Sequence, residues 1–200
     1  MIQAPIPIVV PSEAELMGVG EAPQRRVLNV PYLSQTVTNW CWATCATMLS
    51  RFYGAQIRIC EAAAKLIPND GCCNGAPAEG TFDRTWNKGS CNRTCTVAEV
   101  ADLHGKLGLS STHIAGTLSF ADLESEISVN GRPIEVAYSW TGGGGHVAIL
   151  RGIDSQAKTV RVNDPWPDYG ETVTSYNGLL TAYGKGAWFQ SWRGIAKREG

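Results

Sequence analysis

Cys41 opens the string CWATCATMLSRFYG, whose apolar spacing and closing Gly54 predict a helix, and Gln35 stands six residues before it. A cysteine at a helix start meets unpaired backbone N–H groups and the positive end of the helix dipole, both of which favour the thiolate. An amide side chain beside it, with the cysteine's own N–H, makes an oxyanion hole for a tetrahedral intermediate. These are parts for nucleophilic acyl transfer. In a Cys-rich chain an arbitrary cysteine is more often a bridge or a small buried apolar residue, and a loop Gln is more often solvated. The order and spacing of the pair weigh against both plainer readings.

Such a nucleophile needs a base, and the chain offers His104, His113 and His146. His104 falls within a predicted helix and His113 in a polar loop, neither with an evident orienting partner. His146 leads the extended string HVAILRG after Gly142 to Gly145, a run that either admits a substrate backbone closely or serves as a flexible hairpin connection. If 146–152 and 159–164 pair antiparallel about Ser155, facing residue numbers add to about 310. His146 then faces Asp164, while Ala148 faces Val162, Leu150 faces Val160, and Asn163 points to the other face with Arg161. A carboxylate there fixes the imidazole tautomer and stabilises its protonated form. Asp164-Pro165 also reads as the start of a turn.

The Gln35…Cys41-Trp42-Ala43 segment resembles the active-site segment of papain-like cysteine proteases, and VNDPWP after the His146 strand is similar to the third-residue region of bacterial members. The resemblance covers Val30 to Gly54 and Glu135 to Pro167. It is nearest to two bacterial branches, the papain-like effector proteases of plant pathogens and the bacteriocin-leader peptidases. It implies a papain-like fold and a cysteine endopeptidase in which Cys41 attacks, His146 is the base, Asp164 orients it and Gln35 stabilises the oxyanion. Closer relatives of papain carry Asn in the third role, which keeps Asn163 as the alternative. A cysteine-rich middle departs from both branches, and a transporter is expected to follow only in the leader peptidases, so their substrates do not carry over. Two other functions stand as alternatives: a peptidoglycan amidase or transglutaminase-like acyl transferase with the same triad, and an inactive disulfide-stapled binding module or toxin on the same scaffold. The Gln35 and Trp42 context favours the peptidase.

The elements that must position these residues follow from local signals. A helix is expected around Cys60 to Ile67, another from the Thr96/Glu99 capping box to Gly108, and a third from Ser119 to Val129. Extended strings IEVAYSW, HVAILRGI and TVRVND come next, then a short helix near Tyr176 to Tyr183 and a strand around Ala187 to Ile195. Helices first and antiparallel strands second give an α+β class. Four prolines in the first 24 residues predict an extended arm or linker over residues 1–25, ahead of one catalytic domain over 26–200 with a Cys-rich insertion at about 69–95.

Seven cysteines suit an oxidising compartment, secreted or periplasmic, although the first 24 residues lack the basic start of a signal peptide. With Cys41 set aside, Cys45, Cys60, Cys72, Cys73, Cys91 and Cys95 make an even set for three bridges, and adjacent Cys72 and Cys73 must each reach a distant partner. Seventeen basic and eighteen acidic residues give a charge of −1, which argues against nucleic acid. No apolar run nears the roughly 20 residues that span a bilayer. No metal or cofactor is expected, and the partner is a protein or peptide substrate met by a monomer. Asn92-Arg93-Thr94 matches a glycosylation acceptor, and Trp166 is placed to shield the His146–Asp164 pair from water.

Overall fold

The structure is a computed structural model and describes residues 25–68 and 70–199. Its elements run β1 (Arg25–Val27), α1 (Cys41–Phe52), α2 (Ile59–Leu66), a 3-10 turn (Gly89–Cys91), α3 (Val97–Lys106), β2 (Leu109–Ile114) and α4 (Phe120–Glu124). After a π turn (Ser125–Val129) come β3 (Ile134–Trp140), β4 (Gly145–Asp154), β5 (Thr159–Asp164), β6 (Gly170–Ser175), α5 (Tyr176–Leu180) and β7 (Gly186–Lys197). The expected arm lies outside the described residues except for Arg25, which opens β1.

The strands form one antiparallel sheet in the order β2-β7-β3-β4-β5-β6, with β1 pairing to the hairpin end of β4. β3 and β4 are buried along most of their length, which is why they read as apolar runs and not as alternation. α1 lies against β4, and its residues Trp42 to Ser50 are all buried, so this helix is enclosed on every side. Gly54, at φ 91°, ends it as expected. α3 starts on the predicted capping box: Thr96 Oγ1 accepts from the Glu99 N–H, and the Glu99 carboxylate accepts from the Thr96 N–H.

The helix expected from Ser119 to Val129 stops at Glu124 and widens into the π turn. Glu126, Ile127 and Ser128 are consecutive and all buried there, more inward-facing residues in a row than one stripe of an α-helix supplies. β2 and β6, the two ends of the sheet, were not legible, since edge strands of small polar residues carry little apolar pattern. His113 therefore sits in a strand, hydrogen-bonded to Gln190, and not in a loop.

Candidate active site

Cys41 is the first residue of α1, half-buried, with no side chain capping the helix and no acidic residue in its first turn. The first-turn N–H groups thus face the thiol's surroundings without a partner inside the helix. The loop before it is held from both sides. Gln35 donates its backbone N–H to the Pro165 carbonyl at 2.8 Å, which ties this loop to the end of β5. On the other side the Asn92 Oδ1 accepts from the Asn39 N–H at 3.0 Å, and the Asn92 Nδ2 donates to Thr38 Oγ1. Trp40 and Trp42 donate their indole N–H groups to the carbonyls of Cys91 and Arg93. Cysteine-rich residues thus wall the nucleophile loop.

Gln35 is buried at 1% exposure, and its Nε2 donates to the carbonyls of Val37 at 2.8 Å and Thr38 at 3.0 Å. Both amide hydrogens are engaged in the turn that leads to Cys41, and the residue is not in the cleft wall.

His146 and Asp164 meet, with Nε2 and Oδ1 2.6 Å apart and both side chains buried. The hairpin register differs from the expected one. Leu150 pairs with Val162 and Ile149 with Asn163, two residues from the expected match, because the hairpin closes between Gln156 and Ala157, with Asp154 paired to Thr159, and a bulge at Arg151 takes back one residue of that offset. Continuing that register places Ala148 opposite Asp164, so His146 reaches it diagonally along the same face. Asp164 Oδ1 also accepts from the Trp166 N–H at 2.9 Å, and Oδ2 from the Tyr183 hydroxyl at 3.3 Å. The imidazole ring stacks on Trp140 at 5.6 Å and lies near Tyr138. Burial opposes its protonation, but the charge and hydrogen bond of Asp164, helped by the neighbouring Cys41 thiol, outweigh it and lift the His146 pKa to about 10. With Nε2 committed to Asp164, Nδ1 is the nitrogen left for the thiol.

Asn163 takes another place. Its Oδ1 accepts from Arg151 Nε at 2.6 Å and its Nδ2 donates to the Val30 carbonyl, so its side chain anchors the chain ahead of the nucleophile loop. His104 is fully buried between Ser111 at 2.9 Å and Glu135 at 2.8 Å, a partnered core pair that the sequence reading missed.

Three bridges were expected and two form, Cys60–Cys73 and Cys72–Cys91, leaving Cys41, Cys45 and Cys95 free. Cys45 lies one turn along α1 from Cys41, buried against the sheet with its thiol donating to the Val147 carbonyl, out of reach of the insertion. Cys95 lines the cleft. Adjacent Cys72 and Cys73 do reach separate partners. The Asn92 side chain, whose nitrogen is engaged with Thr38 and Trp86, is unsuited to carry a glycan.

A cleft of about 520 Å³ runs past Cys41 and His146. Val97, Val100, Ala137, Phe189 and Trp192 are among the residues that line it, as are Trp140, Trp166 and Tyr169, and among the described residues no Asp, Glu, Lys or Arg does. Trp166 does sit beside the His146–Asp164 pair, and its main-chain N–H also binds it. Gly143 and Gly144 turn the rim at φ 89° and 86°, a conformation that requires glycine, with open space where side chains would stand.

The sequence that builds this helix, hairpin and cleft matches the peptidase C39-like family model over residues 27–198. The chain belongs to that family. It is therefore a cysteine peptidase by family, with the α+β papain-like fold expected of it. The peptidase domain of Streptococcus ComA, from a bi-functional ABC transporter of a quorum-sensing pathway, aligns at TM-score 0.59 and 14% identity, over 85% of this chain and 100% of that one. A C39-like peptidase from Bacillus anthracis aligns at 0.57 and 15% identity, over 88% and 99%. A double-glycine-motif protease of an AMS/PCAT transporter, solved with its leader peptide, aligns at 0.52 and 14%, over 84% and 94%. At such identities these likenesses show the fold of this C39-like chain. Among curated protein sequences none matches it. No helix among its described residues is long and apolar enough to cross a membrane.

Proposed function

We propose that the protein is an endopeptidase that works through Cys41, His146 and Asp164. The observation that carries the reading is the buried His146, with Nε2 on Asp164 at 2.6 Å and Cys41 lining the same cleft. Cys41 thiolate attacks the peptide carbonyl, and the carbonyl oxygen takes the negative charge. The Cys41 N–H at the start of α1 receives that oxyanion, and Gln35 adds a donor by exchanging one of its two loop carbonyls for it. His146 gives its proton to the leaving amine, forming the thioester, then takes a proton from the water that hydrolyses it. Asp164 holds the imidazole in the orientation that both steps use.

A cleft rich in aromatic side chains, whose charge outside Cys41 and His146 is nil among the described residues, supports a peptide substrate whose residues around the cut bond are themselves uncharged. The two bridges support residence in an oxidising compartment. Casein and peptides bearing neutral or charged residues beside the cut bond test the reading. Cys41→Ala is expected to abolish cleavage, and His146→Ala to lower kcat on the order of 10²- to 10⁴-fold. Cleavage that survives Cys41→Ala overturns the assignment.

A further inference from the structure

Asp164 is wholly buried, and its two oxygens are treated differently. Oδ1 is engaged by His146 and the Trp166 N–H, whereas Oδ2 has the Tyr183 hydroxyl as its hydrogen-bond donor, at 3.3 Å. The Tyr138 hydroxyl in turn donates to Tyr183, 3.5 Å away. The Tyr183 ring is held between Tyr138, at 5.5 Å, and Tyr169, at 5.2 Å.

The backbone that delivers this hydroxyl is unusual. Just past α5, Ala182 and Tyr183 stand at φ 46° and 60°, two consecutive non-glycine residues in the left-handed region. L-residues rarely adopt that conformation, and one that persists is held by its surroundings and tends to serve a site. Here the Tyr183 N–H bonds to the Gly178 carbonyl at 2.9 Å and the Ala182 N–H to that of Leu179 at 3.1 Å. Glycine would fit the turn without strain but would bring no hydroxyl to Asp164. Burial first, then the neighbouring Tyr138 and Asp164, push the Tyr183 phenol far above its ordinary pKa, so it stays protonated and remains the donor.

We propose that Tyr183 is a positioning residue for catalysis: its hydroxyl fixes Oδ2 of Asp164 and thereby the rotation of the carboxylate that presents Oδ1 to His146. The inference rests on the Cys41–His146–Asp164 reading. A carboxylate freed at Oδ2 turns about its Cβ–Cγ bond and holds the imidazole less firmly. This lowers the rate of the chemical step and leaves substrate binding alone.

Tyr183→Phe removes the hydroxyl and keeps the ring between its neighbours. It is expected to lower kcat on casein about tenfold at unchanged KM, the low end for a hydrogen bond to a charged group, and to slow iodoacetamide labelling of Cys41 similarly. In an Asp164→Asn background the same change is expected to have no further effect, whereas a merely structural loss would add to it. Tyr138→Phe leaves the bond to Asp164 intact and serves as the folding control. If Asp164→Asn impairs the enzyme while Tyr183→Phe does not, or if the two effects multiply, the positioning role is wrong. If Asp164→Asn itself leaves kcat unchanged, it is the underlying reading of Asp164 that fails.

Discussion

The indole N–H of Trp42, next to the nucleophile candidate, donates to the carbonyl of Arg93 at 3.0 Å. One residue before Cys41, Trp40 does the same to Cys91, which is bridged to Cys72. The start of α1 is therefore braced by a segment that has little apolar core of its own and is closed by disulfides.

Reduction is expected to act on the site through that brace. Bridges joining residues 13 and 19 apart in sequence stabilise by about 3 kcal/mol each in the loop-entropy picture. Activity should rise with mild reductant, which keeps Cys41 free, and fall with strong reductant as the bridges open. A Cys72→Ala/Cys91→Ala pair should slow iodoacetamide labelling of Cys41 more than Cys60→Ala/Cys73→Ala, because Cys91 touches Trp40 directly. Equal labelling rates in the two pairs would remove the brace from the account.

Much of this was legible because its signals are local. Cys41 at a helix start, the Thr96 capping box and the three strings that became β3, β4 and β5 each depend on a few neighbouring residues. The His146–Asp164 contact was reached through a register two residues off, and survived because a two-residue slip keeps every side chain on its face. A bulge such as the one at Arg151 has no clear mark in sequence. Tyr183 and Asn92 act across distances of 19 and 53 residues, to Asp164 and Asn39, and His104 finds Glu135 31 residues away. Only the packed fold brings those partners together. Gln35 shows the converse, since its spacing was plain and its partners, Val37 and Thr38, were not.

Alkylation should single out Cys41. Burial, aided by neighbouring negative charge, pushes the thiols of Cys45 and Cys95 well above their ordinary pKa, so both stay uncharged near neutrality. Brief iodoacetamide treatment at pH 7, followed by peptide mapping, should find label on Cys41, with Cys45 and Cys95 modified only after denaturation. Rapid native labelling of Cys95 would contradict its described surroundings.

The His104–Glu135 pair should matter for stability. Both side chains are buried, and removing one partner of such a pair costs about 1–3 kcal/mol because the other is left without its hydrogen bond. His104→Ala should lower the urea midpoint strongly, while a His104→Leu/Glu135→Leu double substitution should recover part of the loss. A double variant weaker than the sum of the single ones would mean that the pair specifies packing beyond its own hydrogen bond.

His146 gives the clearest pH signature. Its folded pKa lies at about 10 against an ordinary 6.5, so the imidazolium's contribution to stability is complete below 6.5 and is lost as pH rises through 10. Asp164 is the principal cause of the rise, and burial works against it. Asp164→Asn therefore leaves burial opposed by Cys41 alone and should bring the His146 titration down by units, towards or below 6.5. Nitrogen-15 shifts of the imidazole, followed from pH 5 to about 11 in both proteins, read this directly. Between pH 6.5 and 10 the parent protein should lose more unfolding free energy than the Asn variant. The shifts should also show Nε2 as the nitrogen held by Asp164, because that bond closes at 2.6 Å. An imidazole that titrates at 6.5 in both proteins would mean that Asp164 does not govern it, and the orienting role would have to pass to another group.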